Sequence, residues 1–212
     1  MRLILARNGI EPESVACRMR LATTRCTNAL LEHAGSPPVL FVTAGFPDLL
    51  EIGDQRRTGL FDLVPRKRES LEGPVVEVAE RTNRDGKIIR SPDHEAIVYA
   101  AKDALANGHR SATVSFLNSC LNDENERAVV SILKEAGFEF VIGSGATYPF
   151  PKWLPRCESA VTEAYLSPIL RQYLNSVGEG MGDGGELLVM SSAGGLIDRD
   201  GYRAIDSLLS GP

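Results

Sequence analysis

The sequence is poor in the residues that hold metals and disulfides. Its four cysteines, Cys17, Cys26, Cys120 and Cys157, form no C-x-x-C pair, and its three histidines, His33, His94 and His109, show no metal-ligand spacing. Neither a metal site nor a disulfide framework is expected, and reduced thiols in a cytoplasmic protein are the default reading. An excess of positive charge is also missing. The formal net charge is −5, whereas general nucleic-acid binding needs a basic surface, so no nucleic-acid partner is expected. No apolar run approaches the ~20 residues of a membrane span, so no membrane partner is expected either. The opening MRLILARNGI is too short in its apolar part for a secretory signal, and no small-residue cleavage site follows. No P-loop, Ser-His-Asp set or paired-carboxylate motif is legible, which leaves catalytic residues unassigned.

What the chain does have is enough apolar material for a packed core. It has 212 residues, 43% hydrophobic and 24% charged, which allows one large or two small domains. Val39 to Thr43 reads as a buried strand, and Asp48 to Ile52 as a short helical piece. A basic run, Arg66-Lys67-Arg68, reads as a solvated loop between Pro and Glu. Val75 to Val78 and Lys87 to Ile89, around the turn Asn83-Arg84-Asp85-Gly86, read as a hairpin. Ser91 as N-cap and Pro92 at the first helical position start a helix with the stripe Ala96, Ile97, Ala100, Ala101, Ala104, Leu105, ended by Gly108. A strand over 112–117 follows. Next comes a helix capped by Asn122 with Asp123, Glu124 and Glu126 near its positive end, then a strand over 138–142.

Residues 143–158 read as a long loop or lid anchored by the only tryptophan, Trp153. A helix over 160–176 kinked near Pro168, a strand over 186–190 and a last helix over 198–209 complete the chain. This order predicts an α/β fold: a mainly parallel sheet with flanking helices, the strands near 112–117, 138–142 and 186–190 being neighbours in one sheet. It divides into residues 1–90, with the hairpin, and 91–212, of βαβ order, or forms one continuous domain.

The stretch 21–32, LATTRCTNALLE, carries the most polar chemistry. Before it, Val15, Cys17, Met19 and Leu21 alternate with Ala16, Arg18, Arg20 and Ala22, the period of a half-buried strand. After it, Ala29 to Ala34 reads as a short helix stopped by Gly35 and Pro37-Pro38. The turn between them offers hydroxyls, an amide and helix N–H groups from Thr23, Thr24, Thr27 and Asn28 to a ligand. Simple capping by Thr27 or Asn28 is the plainer alternative. Because four polar side chains exceed what one cap needs, Thr23, Thr24 and Asn28 are expected to face a cleft. Cys26, with no histidine near in sequence, reads as a small buried cysteine before a nucleophile.

Two glycine motifs compete for a nucleotide reading. Gly180 to Gly185 matches G-x-G-x-x-G but precedes a strand, whereas the mechanism needs the motif to follow a strand and open a helix, so it is rejected. Ser191-Ser192-Ala193-Gly194-Gly195 follows a strand and precedes the predicted last helix, which would let its N–H groups converge on an anion or polar substrate; a tight crossover using glycine for backbone reasons is equally compatible.

Together, LATTRCTNALLE, LFVTAGFPDLLEIGDQ (40–55), VAERTNRDGKI (78–88), EAYLSPILRQYL (163–174), LLVMSSAGGL (187–196) and LLSGP (208–212) make the chain resemble, over nearly its whole length, the N-terminal region of the hydantoinase A / 5-oxoprolinase family. The resemblance implies part of an actin-like or sugar-kinase-like ATPase fold, and an ATP-dependent hydrolase of cyclic amides. In such an enzyme ATP phosphorylates the amide oxygen and water then opens the ring. It implies ATP and Mg²⁺ as cofactors of the full-length protein, a small-molecule cyclic amide as substrate, and the rest of an A-type chain plus a B-type subunit as partners. The candidate substrate-binding residues are then Thr23, Thr24, Thr27, Asn28, Ser192, Gly194 and Gly195.

No Asp-x-Gly-Gly-Thr loop occurs in these residues, so the chain reads as truncated at both ends, with no tight binding of ATP expected of it alone. The sequence departs from the family at Pro47, where Arg is usual, at Ser191 and Ala193, where Gln and Asn are usual, and over 152–158. There KWLPRCE replaces an Arg-Glu-Tyr-Glu-Arg-like segment, with Arg156 and Glu158 keeping part of its charge. A subunit of an ATP-dependent ketone carboxylase, and a non-catalytic remnant or binding module, are the alternatives.

Overall fold

The computed structural model describes Arg7, Gly9, residues 18–54, Phe61, 69–181 and 185–209. The start of the first predicted strand (Val15, Cys17), the basic run Arg66 to Arg68 and Gly182 to Gly184 lie outside the described residues. The fold is α/β with a parallel sheet and flanking helices, as expected. The chain divides into two compact units, residues 36–165 and residues 1–35 with 166–212, rather than at residue 90. The expected boundary falls inside the first of these units.

The unit 36–165 is built on four strands: β2 (Val39–Thr43), β3 (Val75–Val78), β6 (Ser111–Ser115) and β7 (Phe140–Gly143). Their order is β3-β2-β6-β7, and all three pairings are parallel. Every residue of β2 and β6 is buried, as the central strands of a sheet covered on both faces must be. Val39 and Phe41 of β2 and Ala112 and Val114 of β6 pack on Ile97, Ala101 and Ala104 of helix α3 (His94–Ala106) and on Val129 and Leu133 of helix α4 (Glu124–Ala136). On the other face, Leu40 and Val42 meet Cys157 and Val161, in the first part of helix α6 (Trp153–Glu179).

From β2 the chain first adds β3 on one side, then crosses to place β6 on the other. The strand order therefore reverses between β2 and β6, and the carboxyl ends of those two strands are the place where such sheets form a crevice. The hairpin differs from the expected one. Val75–Val78 pairs with β2, and the antiparallel pair is β4 (Arg81–Thr82) with β5 (Ile88–Arg90). The turn between them is the expected one: Asn83 Oδ1 accepts from Asp85 N at 3.0 Å and Lys87 N at 2.8 Å. Asp93, not Ser91, caps α3, accepting from Glu95 N at 3.0 Å and Ala96 N at 3.4 Å. The segment read as a lid is largely helical: α5 (Ser144–Thr147) opens it and α6 begins at Trp153.

The other unit holds β1 (Arg18–Leu21), β8 (Glu186–Met190) and β9 (Leu196–Asp198) in the order β1-β8-β9, with β1 parallel and β9 antiparallel to β8. The strand over 186–190 is thus not a neighbour of β6 and β7. It pairs with β1, from Arg18 opposite Glu186 to Leu21 opposite Val189. The intervening 130-odd residues complete a sheet of their own, so order along the chain does not place β8 beside β7. In place of the last predicted helix come β9 and one short 3₁₀ turn, Ile205–Ser207. Cys26 and Ala29 of helix α1 (Arg25–Leu31) and Leu166, Leu170 and Leu174 of α6 are among the buried apolar residues of this unit. Pro168 sits inside α6.

Candidate functional site

The hydroxyl-rich turn lies between β1 and α1, as expected, but the helix starts earlier, at Arg25. Thr27 and Asn28 are therefore inside α1, and the four polar side chains separate into two pairs. Thr23 is buried, at 8% exposure, and accepts from Arg25 N at 3.1 Å, so it is spent on the turn rather than turned to a cleft. Thr27 donates to Leu208 O at 2.7 Å and ties α1 to the segment after the 3₁₀ turn. Thr24, at the N-cap, and Asn28 are exposed. Thr24 makes no side-chain cap bond. The Asn28 backbone N–H donates to Thr24 O at 2.9 Å, so the two exposed side chains stand one helical turn apart on one face. Cys26 is fully buried.

The loop 191–195 is a hairpin turn between β8 and β9, not a strand-to-helix loop. Gly194 N donates to Ser191 O at 2.9 Å and Ser191 N to Gly195 O at 2.8 Å, with Gly194 at φ +84°, the left-handed conformation that such a bulged hairpin needs. Ser192 is committed three ways: its N and Oγ both donate to Asp206 O at 2.6 Å, and its Oγ accepts from Leu209 N at 3.0 Å. Gly195 N turns to Ser191 Oγ at 3.3 Å. With the N–H groups of Ser191, Ser192, Gly194 and Gly195 already partnered, these residues do not fit a triphosphate. Ser191 and Ala193 themselves carry no long polar side chain that could reach outward.

The densest polar chemistry lies elsewhere, at the carboxyl edge of the parallel sheet. Glu126, in the first turn of α4, is 1% exposed. Its Oε1 accepts from Phe116 N at 2.8 Å, Ser119 Oγ at 2.6 Å and Ser144 Oγ at 2.7 Å, and its Oε2 from Gly145 N at 2.6 Å. Arg156 of α6 has no exposed surface. Its Nε donates to Ser144 Oγ at 3.1 Å, Nη2 to Phe116 O at 2.6 Å and Nη1 to Phe150 O at 3.1 Å. A single hydroxyl, Ser144, thus bridges a buried cation and a buried carboxyl group. Nearby, Glu80 receives Thr43 Oγ1 at 2.5 Å and Asn125 Nδ2 at 2.8 Å, and Thr43 Oγ1 accepts from Leu117 N at 2.9 Å across the β2–β6 switch. Burial pushes the Glu126 carboxyl above its ordinary value, against the pull of Ser119, Gly145, Phe116 and Ser144. Burial likewise pushes the Cys157 thiol up to about 12, which removes it as a nucleophile at neutral pH.

The sequence places Glu126 near the positive end of a helix and Arg156 in a loop or lid, without marking either as buried. A signal was available. Glu126 stands three residues before Val129 on the apolar stripe of α4, and Arg156 four before Ala160 on that of α6, so both charges had to be buried with partners.

Comparison with known proteins adds a further line. The family model for the hydantoinase/oxoprolinase N-terminal region matches residues 4–137, and the hydantoinase/oxoprolinase model matches residues 156–212. The chain is 33% identical over 223 residues to a 5-oxoprolinase of Saccharomyces cerevisiae, covering 92% of this chain and 17% of that protein. It is 29% identical over 210 residues to the caprolactamase subunit alpha of Pseudomonas jessenii, covering 90% of this chain and 29% of that one. Among solved structures, the ATP-dependent caprolactamase from Pseudomonas jessenii superposes with a TM-score of 0.81 at 23% identity, over 99% of this chain and 32% of that chain. The nucleotide-free acetone carboxylase does so with 0.80 at 22%, over 97% and 32%. These two likenesses establish the fold. The chain spans less than a third of the length of each of these proteins.

Proposed function

The chain belongs to the hydantoinase/oxoprolinase family, and from that premise we propose that it is a portion of an ATP-dependent hydrolase of cyclic amides of the hydantoinase or 5-oxoprolinase type. The observation that carries the reading is the 33% identity to a 5-oxoprolinase across 92% of the chain. In this reading the activity belongs to the whole protein, in which the rest of an A-type chain and a B-type subunit complete the site. The name of the caprolactamase subunit alpha supports an assembly of more than one subunit. ATP with Mg²⁺ is the proposed cofactor of that assembly, and the ATP-dependent caprolactamase supports its ATP part. Residues 191–195, with the N–H groups of Ser191, Ser192, Gly194 and Gly195 already committed, have no part in this reading. Thr24 and Asn28, exposed on one face of α1, are the proposed contacts to the substrate ring. A cytoplasmic location belongs to the same reading. Among the described residues no helix is long and apolar enough to cross a membrane.

A second reading, part of a ketone carboxylase, draws on the acetone carboxylase fold at a TM-score of 0.80. One assay separates them. The complete A-type chain with its B-type subunit is given ATP and, in turn, 5-oxoproline, hydantoin, caprolactam, or acetone with bicarbonate, and ADP and product are followed. Ring-dependent ADP release matched by ring-opened acid is the expected result. Release with acetone and bicarbonate alone establishes the carboxylase, and no release with any of them leaves a binding module. Calorimetry on the isolated chain is expected to show no tight Mg-ATP binding; micromolar affinity would overturn that.

A further inference from the structure

Glu126 is held in the way a protein holds a bound carboxylate ligand. Four donors converge on it from two loops. Phe116 N and Ser119 Oγ come from the loop after β6, and Ser144 Oγ and Gly145 N from the start of α5, after β7. The two backbone N–H groups serve different oxygens, Phe116 on Oε1 and Gly145 on Oε2. Arg156 lies behind Ser144, supplying a fully buried positive charge one hydroxyl away. A cavity of about 180 Å³ borders the group, with Asp123, Arg127, Val130, Lys134, Gly143 and Thr147 among its walls. The two loops approach so closely that a Cβ on Gly145 would stand 2.6 Å from Ser119 O.

We propose that the loops after β6 and β7 form a carboxylate-binding cradle that the chain fills with its own Glu126, an internal ligand that clamps the two loops together at the carboxyl edge of the sheet. The proposal is independent of the enzyme reading above. Its logic is geometric: two backbone N–H groups and two hydroxyls, one of them held by a buried cation, converge on both oxygens of one carboxyl group. It places Glu126 as a positioning residue for residues 116–119 and 143–145, distinct from the exposed turn at Thr24 and Asn28.

The test removes the ligand and keeps the cradle. In Glu126→Gly, the full chain is unfolded thermally in rising acetate or propionate, with chloride and acetamide as matched controls. A saturable rise in Tm with the carboxylates alone is expected, and it should vanish when Ser119→Ala and Ser144→Ala are added. Equal effects of acetate and chloride, or rescue that survives loss of both hydroxyls, would overturn the proposal. Should Glu126→Gly not fold, Glu126→Gln serves. Glutamine offers one acceptor oxygen where two N–H groups need one each, so Phe116 or Gly145 should lose about tenfold or more in amide-exchange protection while β2 amides keep theirs. Unchanged protection at both amides would sink the idea equally.

Discussion

At the scale of single residues, burial decides what each polar group can do. Thr23 and Thr27 are used up by the chain, while Thr24 and Asn28 remain on the surface of α1. On the proposed function, Thr24→Val and Asn28→Ala in the complete protein should lower kcat/KM by about tenfold or more with little change in Tm; falling stability with unchanged kcat and KM would make them a helix cap. Glu126 gives a prediction with a definite sign. Its folded carboxyl is raised above the ordinary 4.5, chiefly by burial. Its favourable contribution is therefore fully present below 4.5 and is lost as pH rises through the raised folded value. Ser119 can accommodate the proton, because its hydroxyl also reaches Phe116 O at 2.9 Å and can then accept from the acid. Urea unfolding of wild type and Glu126→Gln across this range should show the stability difference, wild type minus variant, shrinking as pH rises. A difference that is flat or grows with pH would refute this.

At the scale of elements, what was legible followed the clarity of the local signal. β2 is a run of apolar residues after Pro37-Pro38, and α3 and α4 carry periodic stripes, so their existence could be read directly. The N-terminal turn of α1 was misread because three threonines, an asparagine and a cysteine favour loops and caps, while tertiary bonds such as Thr27 to Leu208 O make them helical. Partners of strands were less visible still. Val75–Val78 belongs to β2 because a parallel pairing across 30-odd residues leaves no mark beside the nearby, obvious hairpin turn. The glycines at 194 and 195 suggested a phosphate loop, yet the same glycines serve a hairpin. Only the antiparallel β9 distinguishes the two.

Close packing of elements gives a second contrast. Gly145→Ala places a methyl group 2.6 Å from the Ser119 carbonyl oxygen. It should cost about 1–3 kcal/mol by overpacking. Asp93→Ala removes the cap of α3 and should cost about 1 kcal/mol. Thermal unfolding of both variants checks the two figures, and a silent Gly145→Ala would mean that the loops separate freely.

At the scale of the molecule, the unit 36–165 has the marks of a self-contained insertion. Its residues are continuous in sequence, and it has its own sheet with apolar packing on both faces, Val39 and Phe41 on one and Leu40 and Val42 on the other. Its two ends meet: Ser36 N donates to Tyr165 O at 3.0 Å, so the chain enters and leaves at one point. A segment with adjoining ends and a closed core loses little when the rest of the chain is removed. The sequence hid this, because the α6 stripe runs through the boundary at Tyr165 and Leu166 without a break in composition. Residues 36–165 alone should therefore fold. The only tryptophan, Trp153, reports on it directly: it sits edge-on to Phe46 at 5.1 Å and donates to Ser115 Oγ at 3.0 Å. The excised unit should show blue-shifted emission and one cooperative transition at the midpoint that Trp153 reports in the full chain. A solvent-like emission maximum with no cooperative transition would mean that the unit depends on the remaining residues for its core.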